Sequence, residues 1–418
     1  MIVDDANRAR LRVVVPGVLG LSALVLVGMQ VVASSMGLEG PIRSLLSDYV
    51  ATPRSMTVPW AGLLLALVGL PGRRRLLALA AAVGIDAVFT TARLLQGQPF
   101  KIGNGALIVL TAIVVVAAIR WSGKERATAI HAAALGALLI LATKVGDTWL
   151  QVTARTQTHV LDDYAELADR ALGSPAWLVG QLLQASGPVP QAVIHWVYIE
   201  LPLAAIVVAI WQLRNVTTGV WPRHYLVRTF LVLGLIGPLV YMLFPVVGPV
   251  FAFADNWPHF VPNHLNAEPL PFDDYTPRNC MPSMHTAWAL AVFLHSRQGP
   301  AWLRAGGTFW LVCTVLATLG LGYHYGVDLV AGAVLCLTVE AALRDPARGW
   351  DAPRWRLVGG GAVVFVGLLL CYRYLPEQSA QYPIVFAPLV IGALVAVAAS
   401  YYRTFVQNAD TPGLRVSQ

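Results

Sequence analysis

PIVFAPLVIGALVAVAASYY, residues 383–402, runs for twenty residues without a charge before Arg403. A helix that crosses the hydrocarbon core of a bilayer needs about 20 apolar residues, so this stretch reads as a membrane span. Working outward from it, eleven further apolar runs are set off by charges, glycines and prolines. They lie near residues 13–35, 56–71, 76–92, 103–120, 127–144, 191–213, 225–247, 285–297, 306–323, 326–343 and 357–375. The runs at 56–71 and 285–297 are short, and the expected total is about twelve. Composition agrees: 57% of the 418 residues are hydrophobic and 12% charged, against about 25% charged in an ordinary globular domain. Mean hydropathy is +0.63. These values exclude a disordered chain, a collagen-like one and a secreted disulfide scaffold. The expected fold class is all-α, a polytopic membrane protein.

The net charge of +7 comes from basic residues scattered singly or in threes between apolar runs. Such excess belongs to cytoplasmic loops rather than to a nucleic-acid partner. With the N-terminus inside and twelve crossings, inside ends hold twenty Lys and Arg residues and outside ends nine. That bias predicts a multi-pass plasma (inner) membrane protein with both termini cytoplasmic. The run at 13–35 follows Arg8, Arg10 and Arg12 and is long for a signal-peptide core, so it reads as an uncleaved signal-anchor. Of the four cysteines, Cys313, Cys336 and Cys371 lie inside apolar runs. Cys280 stands in a polar loop, where a thiol reagent is expected to reach it from outside. No Cys-x-x-Cys pair occurs.

Two outer loops are long. In residues 158–172 (THVLDDYAELADRAL) apolar positions recur at helical spacing, which predicts a short interfacial helix. The other, roughly 249–284, is dense in proline, which resists regular helix. The expected organisation is an N-terminal transmembrane module (1–145), a loop with the interfacial helix (146–190), a core (191–345) and a C-terminal helix pair with tail (346–418).

Polar groups at the ends of spanning helices are expensive unless paired or functional. RNCMPSMHTAW at 278–288 and LGYHYGVDLVAG at 321–332 concentrate them. His324 and Asp328 are four residues apart, which places imidazole and carboxylate on one helical face. A carboxylate on one ring nitrogen fixes the tautomer and raises the basicity of the other. His285 follows Pro282, a residue favoured in a helix's first turn, so it is expected at a helix start, where backbone N–H groups can receive an anion. The charge-derived topology puts His285, His324 and Asp328 on the outer face.

Pro282-Ser283-Met284-His285, His324 with Asp328 and Gly332, and the upstream Phe244-Pro245-Val246-Val247-Gly248-Pro249 together resemble the type 2 phosphatidic acid phosphatase (PAP2) superfamily, particularly its inositol-phosphorylceramide-synthase-like branch. The resemblance covers roughly residues 190–345. It implies that His324 attacks phosphorus and forms a phosphohistidine, that Asp328 orients it, and that His285 protonates the leaving oxygen and then activates an acceptor. Ser283 would help hold the phosphate. It further implies a lipid phosphate or phospholipid as substrate, no cofactor and no metal. Two departures stand out. Ala317 and Thr318 occupy the positions where classical members carry a Ser-Arg pair, and no Lys-x6-Arg-Pro element lies upstream. Both remove phosphate-clamping cations, as in the transferase-like branch, and Arg278 is the candidate replacement.

The expected activity is therefore a lipid-phosphate phosphatase or phosphotransferase, with hydrolysis and transfer both open. The alternative is a non-catalytic lipid or polyprenyl-phosphate transporter or binding protein. A metal site is a further alternative, because two histidines and a carboxylate can ligate zinc or iron. His195, His259, His264 and His295 read as interfacial or packing residues. Asp86 and Arg93 read as a buried pair, Lys144 and Asp147 as snorkelling groups at a helix end, and Gly359-Gly360-Gly361 as a close-packing stretch.

Overall fold

The computed structural model describes residues 20, 22–261, 276–345 and 348–407, and among them it is all-helical with no strand. The helices are α1 Ser22–Ser35, α2 Pro41–Val50, α3 Thr57–Leu67, α4 Gly72–Leu95, α5 Asn104–Arg120, α6 Gly123–Thr156, α7 Asp162–Arg170, α8 Pro175–Ala185 and α9 Pro188–Ile199. They continue with α10 Leu201–Leu213, α11 Leu226–Leu243, α12 Pro249–Ala252, α13 Met284–Ser296, α14 Ala301–Gly320, α15 Gly326–Leu343, α16 Ala352–Tyr374, α17 Pro376–Gln381 and α18 Pro383–Phe405. Proline opens many of them at the first turn, where its missing N–H costs nothing.

Eight of these helices are long and apolar enough to cross a membrane: α4, α6, α10 with its extension to Thr218, α11, α14, α15, α16 and α18. The other four expected runs fall on α1, α3, α5 and α13, which are shorter. The N-terminal half of the 13–35 run and the basic residues before it lie outside the described residues. The run at 191–213 is broken at Glu200. Pro202 at the second position of α10 cannot donate a helical hydrogen bond, and α9 closes instead through Glu200 N–H donating to the Trp196 carbonyl.

Helix α6 runs across residue 145, the expected end of the N-terminal module. It continues unbroken for 34 residues to Thr156, so Lys144 and Asp147 lie inside a helix, not at its end. Lys144 is buried and ion-paired with Asp48 at 2.5 Å, with a hydrogen bond to Ser44. Asp86 and Arg93 are both buried but serve different partners. Asp86 accepts from Trp60 Nε1 and from the Gly103 and Gly105 amides, whereas Arg93 donates to the Lys101 and Ala51 carbonyls. Together they hold the loop before α5. Of the glycine triplet only Gly361 is tightly packed, against Thr338, while Gly359 and Gly360 face open space.

The centre of the molecule is α15, 83% of whose residues are buried. Helices α10, α11, α13, α16 and α18 pack a shared apolar core around it. A separate core joins α3, α5 and α6. A seam of Ala61, Leu65, Ala132, Leu135, Ile206 and Ala209 locks this N-terminal module to α10 and α11. Within the module α3 and α6 touch at Gly62 and Gly136, where a Cβ on Gly136 would sit 2.0 Å from the Gly62 carbonyl. The N-termini of α13 and α15 lie at the same end of the core, which is what assembles the site.

Candidate functional site

Three short segments meet at that end. The 244–249 segment supplies a backbone edge: the Val246 carbonyl accepts from Cys280 N–H (3.0 Å), and the Pro245 carbonyl from Leu161 N–H (2.8 Å). Gly248 has φ +99°, and a Cβ there would meet the Tyr323 carbonyl at 2.5 Å, so only glycine lets this segment lie against the turn carrying His324. The 278–288 segment then starts α13. Ser283 is its N-cap, accepting from Thr286 N–H, and its backbone N–H donates to the Asp328 carbonyl at 3.1 Å. The trailing Gly332 of the third segment belongs to this joint. A Cβ at Gly332 would stand 2.2 Å from the Ser283 carbonyl, so its absence allows α15 to approach the first motif.

His324 sits in the turn before α15, held by its N–H donating to the Thr318 carbonyl at 3.1 Å. Its Nδ1 lies 2.9 Å from the Cys280 carbonyl and 3.5 Å from Asp328 Oδ2. A carbonyl only accepts, so Nδ1 carries the proton and Nε2 keeps its lone pair. Asp328 therefore supports the ring from slightly farther away than the spacing predicted, with the Cys280 carbonyl as the nearer partner. Asp328 Oδ2 also accepts from the Cys280 thiol and from Tyr325 N–H (2.9 Å), closing the start of α15. All of Cys280, Asp328 and Ser283 are fully buried. This overturns the expectation that Cys280 is open to a thiol reagent.

His285 faces this cluster from the first turn of α13. Its ring centroid is 6.2 Å from that of His324, with the planes at 61°. Tyr198 stacks on His285 at 3.9 Å, and Trp288 lies edge-on at 6.1 Å. His285 is half-buried and makes ring contacts but no hydrogen bond among the described residues. Its ring nitrogens remain available to a ligand.

Cys280, His324 and Asp328 place ligand atoms within 4.8 Å of one another, a spacing a metal could use. Their donors are already spent otherwise. The nitrogen nearest Asp328 holds a proton against the Cys280 carbonyl. Burial, reinforced by the Asp328 carboxylate, pushes the Cys280 thiol well above its ordinary range and keeps it protonated. The arrangement is a hydrogen-bonded relay behind Nε2 of His324.

Arg278 is fully buried and reaches the Gln157 carbonyl (3.3 Å) and both oxygens of Thr276. Ala317 and Thr318 are buried at the end of α14, where Thr318 supplies the carbonyl under His324 rather than a cation. His195 and His259 are exposed, as expected of interfacial residues, and His264 lies outside the described residues.

The sequence reading missed the underside of the site. The predicted 158–172 helix exists as α7, and its acids pack into the protein: Asp162, Glu166 and Asp169 all have 0% exposure. Asp162 accepts from the Val247 and Gly248 amides and from Tyr325 Oη (2.8–3.0 Å). Asp169 accepts from Val327 N–H at 3.0 Å, capping α15. Glu166 accepts from Ser174 and Trp177. Burial raises all three carboxyls, Asp162 to about 7. The available signal was three acids at positions 162, 166 and 169, one helical face of a chain with only 22 acidic residues.

Residues 167–342 match the family model of the PAP2 superfamily, and residues 12–152 match that of a domain of unknown function (DUF5933). Neither a curated protein nor a solved structure matches the chain. The PAP2 match starts earlier than the motif resemblance, taking in the end of α7 and all of α8. Among the described residues the protein is thus all-α with eight helices fit to cross a membrane, and the stretch that matches the PAP2 superfamily model holds both histidine motifs. That domain class is generally one of phosphoric-ester hydrolases or transferases.

Proposed function

We propose that the chain is an integral-membrane lipid-phosphate phosphatase or phosphotransferase that works through a phosphohistidine on His324. The observation that carries this reading is the proton on His324 Nδ1, pinned by the Cys280 carbonyl, with Nε2 unpartnered among the described residues and His285 facing it across a gap. The Nε2 lone pair attacks phosphorus, and the bond from phosphorus to the lipid oxygen breaks. Protonated His285 gives its proton to the departing alkoxide. Neutral His285 then takes a proton from the acceptor hydroxyl, whose oxygen attacks phosphorus. The P–N bond breaks and its electron pair returns to Nε2. Asp328 and the Cys280 carbonyl stabilise the ring as it gains positive character. Arg278 and Ser283 are assigned to holding the phosphate, as in-line transfer requires compensation of the equatorial oxygens.

The missing cation at Ala317 and Thr318 supports the transferase side, in the manner of the inositol-phosphorylceramide-synthase-like branch, with water as the competing acceptor. The twenty-to-nine distribution of basic residues supports an extracytoplasmic site and cytoplasmic termini. Purified protein incubated with a panel of lipid phosphates and phospholipids, with and without lipid alcohols, tests the reading by mass analysis. A new phosphodiester or a dephosphorylated lipid is the expected product. Unchanged lipids across the panel would overturn it.

A further inference from the structure

A cavity of about 370 Å³ lies between the two matched regions. One wall is α3 and α6, within residues 12–152, and the other is α10, α11 and α13. It follows α11 from Leu226 to Tyr241, fifteen residues or about 22 Å at the helical rise. Its lining is graded. Asp147, Tyr241, Asn279 and His285 gather at the end where α13 begins. Toward the opposite end the walls are Leu139, Ala209, Leu226 and Val227. The polar end is thus the catalytic histidine itself, and the rest is an apolar slot running away from it.

Asp147 is the one acid in this lining. It makes no hydrogen bond or ion pair among the described residues, and it is exposed to the slot with the Lys144 and Arg54 charges nearby. Lys144, one turn earlier, is committed to Asp48 and Ser44. A carboxylate open to a mostly apolar slot can accept from a donor that enters it.

We propose that this slot holds the hydrocarbon chain of the lipid on which His285 and His324 act, so that the N-terminal module forms half of the lipid-binding site. Asp147 accepts a hydrogen bond from a donor on a lipid head, a hydroxyl or an ammonium. The identification of the occupant as substrate rests on the function proposed above. The slot's shape, its continuity with His285 and its graded polarity fit an amphiphile with one long chain.

Two glycines allow the slot to be filled without breaking the fold. Gly146 on α6 and Gly234 on α11 both line it, and a Cβ at either meets nothing within 4 Å. Gly84, exposed on α4 and also facing open space, serves as the folding control. Full-length detergent-purified protein is photolabelled with diazirine-bearing hexadecanol and, separately, diazirine-bearing hexadecylamine, and the labelled peptides are mapped. Label is expected on α3, α6, α10 and α11, reduced at least tenfold by Gly146→Phe and by Gly234→Phe but kept in Gly84→Phe. Label that persists in both filled variants, or maps elsewhere, overturns the proposal. Asp147→Asn should lower amine labelling at least fivefold and leave alcohol labelling within about twofold, whereas Asp147→Leu lowers both. Unchanged labelling in both Asp147 variants overturns the head-group assignment. Labelling does not depend on turnover, so slot-specific label in a protein that converts no lipid phosphate would support the slot and overturn the enzyme reading.

Discussion

Helix α15 carries a histidine–carboxylate cluster at each end, and the two have opposite character. At its start, Asp328 and His324 stand beside Cys280 and opposite His285. Twelve residues along, about 18 Å away, Glu340 sits between His295 (2.8 Å) and His224 (3.2 Å). Glu340 also accepts from Thr229. Gln212 closes this second cluster. Its Oε1 accepts from Leu226 N–H, so its amide nitrogen donates to His295 Nδ1, and His295 must present its own N–H to Glu340. Both clusters set a histidine ring nitrogen against a buried carboxylate, so proximity alone does not mark a reactive site. What separates them is whether the nitrogen left over is enclosed. Among the described residues Nε2 of His324 and the ring of His285 have no hydrogen-bond partner and face each other, with His285 lining a cavity, whereas the His295 ring is committed on both sides and the unpartnered Nδ1 of His224 is sealed in the interior.

The sharpest test of that contrast is to remove one member from each cluster. His324→Ala, His285→Ala and Asp328→Asn should each lower turnover at least 10²-fold, the effect of losing a nucleophile, acid or base, while the proteins remain monodisperse. Rapid-quench trapping should find an acid-labile, base-stable phosphate on His324 in the parent and none in His324→Ala. Near-normal turnover in all three variants would remove the assignment.

Glu340→Gln attacks the other cluster. Its amide nitrogen would face an imidazole N–H, leaving donors unmatched in a buried site. Breaking a buried pair of this kind costs about 3–5 kcal/mol. A large fall in melting temperature is expected, with turnover per folded molecule close to the parent's. A stable Glu340→Gln protein that has lost turnover would mean that the second cluster is also functional.

The joint between the motifs comes next. Gly332→Ala places a Cβ 2.2 Å from the Ser283 carbonyl, and that backbone can yield only by moving the start of α13. Overpacking of this order costs about 1–3 kcal/mol, and here it also shifts His285 relative to His324. Gly361→Ala meets the Thr338 hydroxyl at a similar distance, but a side chain can rotate away. The first variant should therefore lose both stability and turnover, and the second only some stability. Equal turnover in the two, measured on monodisperse protein, would show that Gly332 does not set the spacing of the histidines.

The reach of the sequence follows the same division between local and long-range chemistry. The spans at 326–343, 357–375 and 383–402 coincide with α15, α16 and α18 to within a few residues, because an uncharged run of that length has few other solutions in a bilayer. That His285, His324 and Asp328 would gather at one end of the core was legible because residue type and spacing within each motif carry the information. Cys280 was misread as exposed, since a polar loop folded beneath a helix start looks the same in sequence as one facing solvent. Glu340 and His224 are 116 residues apart, and Asp162 and Tyr325 are 163 apart. No local pattern joins such pairs. Asp147 was placed at a helix end because a 34-residue helix exceeds what a bilayer demands, and nothing local marks where it stops.

The smallest expected effect concerns the support beneath the reactive cluster. Asp162 is fully buried under the 244–249 segment and the start of α15. Its three donors favour the carboxylate, but burial outweighs them and raises the group to about 7, above its ordinary value of 3.8. Below about pH 4 the group is neutral in the folded and the unfolded chain alike, and its full contribution to stability is present. Between 4 and 7 the unfolded chain releases this proton while the folded one retains it, so stability declines as pH rises. Above 7 the contribution is spent and the curve levels. One such proton gives a slope of at most about 1.4 kcal/mol per pH unit. Glu166 and Asp169 shift in the same direction, so Asp162→Asn should flatten the decline in melting temperature between pH 4 and 7 without abolishing it. The matching control is Asp351→Asn, a carboxyl lowered by its Arg348 partner at an exposed helix start, which should leave that part of the curve unchanged. Parallel curves for the parent and Asp162→Asn would mean that the three donors hold Asp162 ionised in the fold. The α7 acids would then be fixed anions under the turn that carries His324 rather than protonated struts.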